Sequence, residues 1–506
     1  MEQSSSSRPS LYLRFLDFWR THPLWWRTAL GVILWLAAAA LLLILPDRGY
    51  PRAVVFDETY YIPMAQKYLH GVFYQEEHPP LARLFIALGQ KLTYPDAPSN
   101  EVLYVETIKD GWPKNVDMSG YRLFPAIFGT FLAPLVYLIL LVILERERAA
   151  LMGGLLVLFD NALLTQSRFA LPESFLLTFV LTTLLIFAVL WKRRDTLSRA
   201  TYGWWALWGV SFAAALGVKL TALFLGGLVA VYFFALLWQA QWRNTMRFVV
   251  IFSLAFGVVT VAIWQTHFAL MTQLHPKNTY DVSEAHLQIL KGELTVTPVE
   301  RFIVQMSDAI TYTFATHGRV PALRLGAVDE IGSPWYQWPF GGKAISYRWE
   351  TPDGETYRTI YLIGNPLSWL VSLLGVITGT AIVITNALFR YYHSPRRAWV
   401  YVLIGLYWVY MAGMMTIDRV MYLYHYLPPL LIGTLLAVIV FVDIPTLTPF
   451  WRRAVVMAAL LGLLAGFVTF MPYTYYLPLT REQITQRAVW PAWQLTVGGV
   501  PVEPPP

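Results

Sequence analysis

Eleven predominantly apolar runs divide the chain, at 29–46, 122–144, 149–166, 172–191, 204–218, 220–238, 248–266, 364–388, 398–416, 425–442 and 454–471. Most are about 17–25 residues long, the length an α-helix needs to cross the hydrocarbon core of a bilayer. One soluble core cannot absorb so many. The charged fraction agrees: it is 14%, against about 25% in soluble domains. The expected fold class is an all-α polytopic membrane protein with about eleven transmembrane helices.

Runs 204–218 and 220–238 are separated only by Lys219. Ten spans is the alternative if they form one tilted helix, but about 35 residues is too long for a single crossing. Charge separates the two counts. With the N-terminus inside, the cytoplasmic connections hold Arg146 and Arg148, then Lys192, Arg193, Arg194 and Arg199, then Arg243 and Arg247, then Arg390, Arg396 and Arg397, then Arg452 and Arg453. The short outside turns hold only Arg168, Lys219 and Arg419. This is the positive-inside bias, and a ten-span count would invert it after Lys219.

The topology gives a cytoplasmic segment 1–28, a membrane domain 29–471 and a tail 472–506 that falls outside and ends in EPPP, read as unstructured. Two larger loops, 47–121 and 267–363, also lie outside. No small-residue cleavage site follows the first run, so it reads as a retained signal-anchor of a multi-pass plasma (inner) membrane protein. The net charge of +7 sits in clusters between apolar runs. It reflects topology rather than nucleic-acid binding. The absence of cysteine excludes disulfides, thiol catalysis and cysteine metal sites.

Asp57 and Glu58 stand just beyond the first apolar run, followed by His78-Pro79-Pro80. A carboxylate near a lipid surface can serve as a general base, because partial desolvation raises its pKa. The alternative is a charge pair complementing a helix N-terminus. Glu58 could orient Asp57, contact substrate or share a divalent cation (Mg or Mn), although two carboxylates do not establish a site. Helices over 59–70 and 80–92 are expected to lie flat on the membrane, holding Asp57, Glu58 and His78 at its surface.

Arg168 lies in a short outside turn with Glu173 five residues later. It could grip a phosphate or staple two helix ends with Glu173. Asp160, at the end of an apolar run, could equally be a helix-end partner. Lys219 could snorkel or meet an anionic headgroup. Arg419 and His425 fall in another outside turn, and with Arg168 and Lys219 they could form a cationic basin. Tyr336 and Gln337, in SPWYQWP, suit sugar stacking and a phosphate hydrogen bond, or an interfacial anchor. No phosphate-cradling glycine loop or zinc helix is present. A donor used at the outer face would therefore be lipid-borne. Charges gathered at one face, rather than at mid-membrane, count against a transporter.

FDE with HPPLARLFIALG, RLFPAIFGT, DNALLTQSRFALPESF, GVKLTALF, SPWYQWP with IYLIGNP, and YLYHYLPPL occur in this order. Together they resemble the protein O-mannosyltransferase family of type C glycosyltransferases (GT-C fold), from about Phe56 to Pro429. The chain looks like the shorter bacterial form, without the extra domain that eukaryotic members carry in the second loop. The resemblance implies inverting transfer of mannose from a polyprenyl-phosphate carrier to Ser or Thr hydroxyls of exported proteins. It implies Asp57 as base, Glu58 as a positioner, and Arg168 with Gln337 and Tyr336 on the donor phosphate. His78, Lys219 and His425 are weaker assignments to that pocket. The family often has Asp where Glu173 stands, which leaves that position's role open. The related aminoarabinose transferases would use another sugar and a lipid acceptor. Further partners considered are membrane lipids, the translocon and a second copy of the chain.

Overall fold

The computed structural model describes residues 23–95, 117–276, 278–325, 327, 330–390, 392–444, 448–498 and 500–502. Arg8, Arg14, Arg20 and the terminal EPPP lie outside the described residues.

Among the described residues, nine helices are long and apolar enough to cross a bilayer: Leu24–Ile44, Leu123–Leu144, Glu173–Arg193, Leu220–Trp238, Trp242–Leu270, Pro366–Phe389, Arg397–Met415, Leu423–Asp443 and Pro449–Tyr475. A tenth candidate is the pair Glu147–Leu158 and Asn161–Arg168, bent by 57°. The remaining expected span coincides with the 20-residue helix Arg199–Val218. It escapes a length-and-composition test because Trp204, Trp205, Trp208 and three glycines dilute its aliphatic content. Its contacts nevertheless run end to end. It starts where Arg247 donates to Tyr202 Oη at 3.1 Å and finishes at Lys219, which pairs with Glu173. Gly209 lets it approach helix Trp242–Leu270 closely, since a Cβ there would lie 2.4 Å from the Phe252 carbonyl.

Polar contacts mark two opposite ends of this bundle. At one, Lys192 pairs with Glu145 at 2.5 Å, Arg396 with Asp443 at 2.6 Å, and Gln239 donates to Asp195 at 2.5 Å. The other end carries Asp57, Glu173 and Lys219. Glu173–Arg193 and Leu423–Asp443 form the centre, with 72% and 78% of their apolar windows buried, whereas Trp242–Leu270 and Pro449–Tyr475 face outward at 17% each.

The bend after Leu158 has a chemical cause. Asp160 caps the second piece by accepting from Leu163 N at 3.0 Å, and its other oxygen takes Asn365 N at 3.2 Å and the Ser368 hydroxyl. Asn161 donates to the Phe467 carbonyl at 3.3 Å and to Thr474 Oγ1 at 3.1 Å. Side chains from distant helices thus satisfy the polar groups that a broken helix exposes.

The first loop holds helices Glu58–His70 and Leu81–Thr93. Gly71, at φ 71°, ends the first in a left-handed C-cap. These helices are packed into the protein rather than laid on the membrane: Ile62, Ala65 and Ile86 are fully buried. Polar residues as well as apolar ones face inward, because they find partners there, as Tyr68 Oη does 2.5 Å from His267 Nδ1.

The all-α membrane bundle carries a small sheet outside the membrane. The second loop contains helices Glu284–Lys291 and Pro298–His317, a 3-10 turn Trp335–Phe340, and the antiparallel strands β1 (Ile345–Glu350) and β2 (Thr356–Leu362). Strand β3 (Pro478–Thr480) joins β2 to complete the order β1-β2-β3. The tail is therefore folded up to its last described residues. Its Trp493, Leu495 and Val497 pack with Tyr361, Ile363 and Tyr473, and the final helix runs to Tyr475 rather than ending at 471.

Candidate active site

Asp57 follows directly on a strained residue. Phe56 has φ 52°, a left-handed conformation that is costly for an aromatic side chain and persists where surrounding contacts enforce it. Those contacts come from β1. Phe56 N donates to the Tyr347 carbonyl at 3.3 Å, and the two rings stack at 4.3 Å with 7° between planes. Tyr347 lies where the β1–β2 register slips between Ser346 and Arg348. The extra residue of such a bulge re-aims a side chain. Here the Tyr347 hydroxyl turns inward and donates to Gln166 Oε1 at 2.7 Å.

Asp57 occupies the N-cap position of helix Glu58–His70 but makes no side-chain cap bond. Among the described residues its carboxylate accepts no hydrogen bond, and it is half-buried. Burial, followed by the nearby Glu173 carboxylate, pushes its pKa up to about 7; Lys219 opposes the shift and Glu77 adds to it. The group is thus poised between its two protonation states near neutrality, as a general base requires.

Glu58 turns the other way and is fully buried. Arg122 donates from Nε to one oxygen at 2.8 Å and from Nη2 to the other at 2.7 Å. Val55 N reaches one oxygen at 2.9 Å and Ala170 N the other at 2.8 Å. Four donors fill the four lone-pair directions of the carboxylate. Glu58 therefore offers nothing to substrate, and the adjacent pair has no shared cation position. Its geometry is that of a pin joining the first loop to the turn after Arg168. Among the described residues no group of three or more His, Asp or Glu side chains is arranged for a metal ion.

Lys219 is neither a snorkelling cation nor a free one. It is 6% exposed, pairs with Glu173, and sits 5.0 Å over the Tyr424 ring. Gln166 Nε2 donates to the second Glu173 oxygen at 2.5 Å. A continuous polar chain therefore runs Tyr347–Gln166–Glu173–Lys219 beside Asp57. Because Lys219 takes Glu173, the Arg168–Glu173 staple, one of the two readings of that turn, does not form. Arg168 instead donates to the Thr474 carbonyl and lies between the Phe169 and Tyr475 rings at 5.4 and 5.0 Å. It is buried and carries no carboxylate partner among the described residues.

Aromatic rings wall the space around Phe56 and Asp57. Tyr422 and Tyr424 approach the Phe56 ring edge-on at 6.2 and 6.1 Å. The His425 ring stacks on Tyr424 at 4.5 Å and on Trp338 at 6.0 Å, which ties the turn Leu423–Tyr426 to the SPWYQWP segment. Gln337, on that segment, makes no side-chain hydrogen bond among the described residues. Gly342 permits its placement, since a Cβ there would lie 2.8 Å from the Gln337 Cβ. Tyr336 is 50% exposed.

Residues 15–276 match the family model described as dolichyl-phosphate-mannose-protein mannosyltransferase, a stretch of more than half the chain that holds Asp57, Glu58, His78, Arg168 and Lys219. The chain belongs to this family. Residues 314–493 match the C-terminal four-transmembrane region of protein-O-mannosyltransferase. Protein O-mannosyl-transferase 1 of Danio rerio is 32% identical over 302 residues, which are 57% of this chain and 41% of that protein. Dolichyl-phosphate-mannose–protein mannosyltransferase 3 of Saccharomyces cerevisiae is 27% identical over 243 residues, 45% of this chain and 31% of that one. The chain thus spans less than half the length of these relatives. In fold it is similar to the S. cerevisiae protein O-mannosyltransferase Pmt1-Pmt2 complex bound to the sugar donor, with TM-score 0.77, 14% identity and 94% of each chain covered. The oligosaccharyltransferase AglB of Archaeoglobus fulgidus superposes at TM-score 0.52 and 14% identity, over 92% of this chain and 58% of that one.

In this mannosyltransferase-family chain the remaining candidates separate into two groups. His78 sits beside Asp57's neighbour Glu77, with Nε2 3.6 Å from its carboxylate, and its carbonyl accepts from Arg83 at 3.0 Å. Arg419 is held by backbone, through the Ala322–Arg419 bridge and the Val420 N to Pro321 O bond at 2.9 Å, with a buried Nε lacking a partner among the described residues. Asp57, Glu77, Lys219, Gln166, Tyr347 and Tyr424 form one neighbourhood; Arg168 belongs to a second, built on Thr474 and Tyr475. Sequence reasoning missed Arg122, Tyr347, Gln166 and Tyr424. Arg122 could have been found as a lone arginine at the edge of an apolar run, which demands a partner.

Proposed function

We propose that the chain transfers mannose from a polyprenyl-phosphate carrier to Ser or Thr hydroxyls of exported proteins at the outer face of the membrane. The observation that carries this reading is Asp57: a half-buried carboxylate without a hydrogen-bond partner among the described residues, on a strained backbone, its pKa raised to about 7, within the family match at 15–276. Asp57 accepts the proton of the acceptor hydroxyl while that oxygen attacks the sugar carbon. The bond from that carbon to the carrier phosphate oxygen breaks on the opposite face, and the electron pair leaves with the phosphate, so the configuration inverts. The Gln337 amide, without a side-chain hydrogen bond among the described residues, donates to the departing phosphate, and Arg168, without a carboxylate partner among them, stabilises its charge. Tyr424, Tyr422 and Phe56 offer ring faces and edges to the sugar. The basic clusters at the opposite end support a cytoplasmic position for that end.

The test is transfer in vitro with polyprenyl-phosphate-mannose and a Ser/Thr peptide, wild type against Asp57→Asn. Transfer by wild type and loss in the variant are expected. A folded wild type that ignores the peptide but glycosylates a lipid would overturn the acceptor assignment.

A further inference from the structure

A cavity lies at the end of the molecule away from Asp57. It is a lateral trough of about 620 Å³ between helices Leu24–Ile44, Leu123–Leu144 and Glu173–Arg193. Its walls include Val32, Trp35, Phe131 and Leu138, which are 47%, 39%, 40% and 38% exposed respectively. The Trp35 and Phe131 rings stack at 6.5 Å, and Trp35 Nε1 is satisfied by Thr130 Oγ1 at 3.1 Å, so the upper wall is fixed. Between Arg27 and Trp35 the helix rises about 12 Å, enough for the upper part of one acyl chain.

The open end of the trough carries Arg27, Lys192 and Arg193. Arg27 lies 3.9 Å from Glu147, and Lys192 pairs with Glu145 at 2.5 Å. Arg193 is exposed and has no carboxylate partner among the described residues. Three cations against two carboxylates leave one positive charge beside an apolar channel. We propose that this trough binds one anionic glycerophospholipid, its phosphate between Arg27, Lys192 and Arg193 and one acyl chain along Val32, Trp35, Phe131 and Leu138. An aqueous anion would gain nothing from the apolar walls, and a neutral lipid nothing from the surplus charge. The proposal rests on the membrane-spanning fold and is independent of the transferase reading.

The probe is phosphatidylglycerol bearing a diazirine in one acyl chain, present as a minor component of phosphatidylcholine vesicles holding the full-length chain. Adducts are mapped by mass spectrometry after illumination. Labelling is expected on peptides covering 24–35 and 131–142, displaced by plain phosphatidylglycerol and not by phosphatidylcholine. The triple variant Arg27→Ala, Lys192→Ala, Arg193→Ala should lose at least fivefold there, with labelling of helix Trp242–Leu270 unchanged as an internal control of the fold. Leu138→Trp, which narrows the trough and keeps the charges, should lose it as well. Equal labelling by a phosphatidylcholine probe, or no change in the variants, would overturn the proposal. So would trough peptides left unlabelled while other faces react, the result expected if residues 1–22 or a second copy filled the trough.

Discussion

Arg122 grips both carboxylate oxygens of Glu58, at 2.8 and 2.7 Å, with neither side chain exposed. The remaining Arg122 donors take the carbonyls of Arg48, Pro51 and Ala53 at 2.9–3.1 Å. One ion pair thereby fixes the stretch of chain that leads into Phe56 and Asp57. Breaking a buried pair strands the surviving charge, at a cost of about 3–5 kcal/mol. Glu58→Gln and Arg122→Met are each expected to lose about that much. The double variant Glu58→Met, Arg122→Met should lose clearly less than the sum. A thermal-unfolding double-mutant cycle measures the difference; additive losses would mean that the two residues are not coupled.

Asp57→Asn keeps the shape of the side chain and removes the proposed base. Its turnover of mannosyl donor should fall about 10²–10⁴-fold, the usual contribution of a positioned base. Donor affinity should change little, which separates this outcome from loss of binding. Wild-type turnover in the folded variant would remove Asp57 from the mechanism.

The ionisation of Asp57 sets a pH dependence. The base must be unprotonated, so kcat/KM should rise tenfold per pH unit below about 7 and level off above it. The Glu173 carboxylate raises Asp57 and Lys219 lowers it. Glu173→Gln should therefore move the limb to lower pH and Lys219→Met to higher pH. Stability carries the opposite sign. The folded-state pKa lies above the ordinary value of 3.8, so the stabilisation tied to Asp57 is present below that value and lost as pH rises through about 7. The melting temperature of Asp57→Asn relative to wild type should accordingly increase between pH 4 and pH 8. A limb that stayed put in both charge variants would disprove the electrostatic account.

Tyr347→Phe leaves the stack on Phe56 intact and deletes one hydroxyl. The Gln166 oxygen it serves is buried, and a stranded buried acceptor costs about 1–3 kcal/mol. A melting-temperature loss of that order should accompany a severalfold drop in turnover, because Gln166 also holds Glu173. A fully active variant of unchanged stability would show that the Tyr347–Gln166–Glu173 chain does not position Asp57.

The membrane helices were legible because length and apolarity report directly on bilayer crossing. Residues 204–218 needed the charge pattern as well, since Trp and Gly mask that helix. Asp57 was visible as a charge out of place, but nothing local distinguished it from Glu58. Their opposite roles depend on Arg122, 64 positions later, and a single sequence does not display such pairings. Strands β1 and β2 were missed although Pro352-Asp353-Gly354 punctuates them. Asp353 accepts from Glu355 N at 3.0 Å and Thr356 N at 2.7 Å, and Gly354 has φ 75°, which is turn chemistry readable in advance. The Arg168–Glu173 pairing failed for a different reason: Lys219 competes for the same carboxylate, and sequence proximity does not rank competitors.

Strand β3 and Thr474 have a consequence in time. They complete the sheet beside β2 and the surroundings of Arg168, yet the ribosome makes Thr474 some three hundred residues after Arg168. Until they are inserted, β2 has an unpaired edge and Arg168 lacks the carbonyl it is buried against. The first loop is made early in biogenesis, but the surroundings of Arg168 are finished only when the final helix is in place. A partly synthesised chain therefore carries Asp57 before the surroundings of Arg168 are complete.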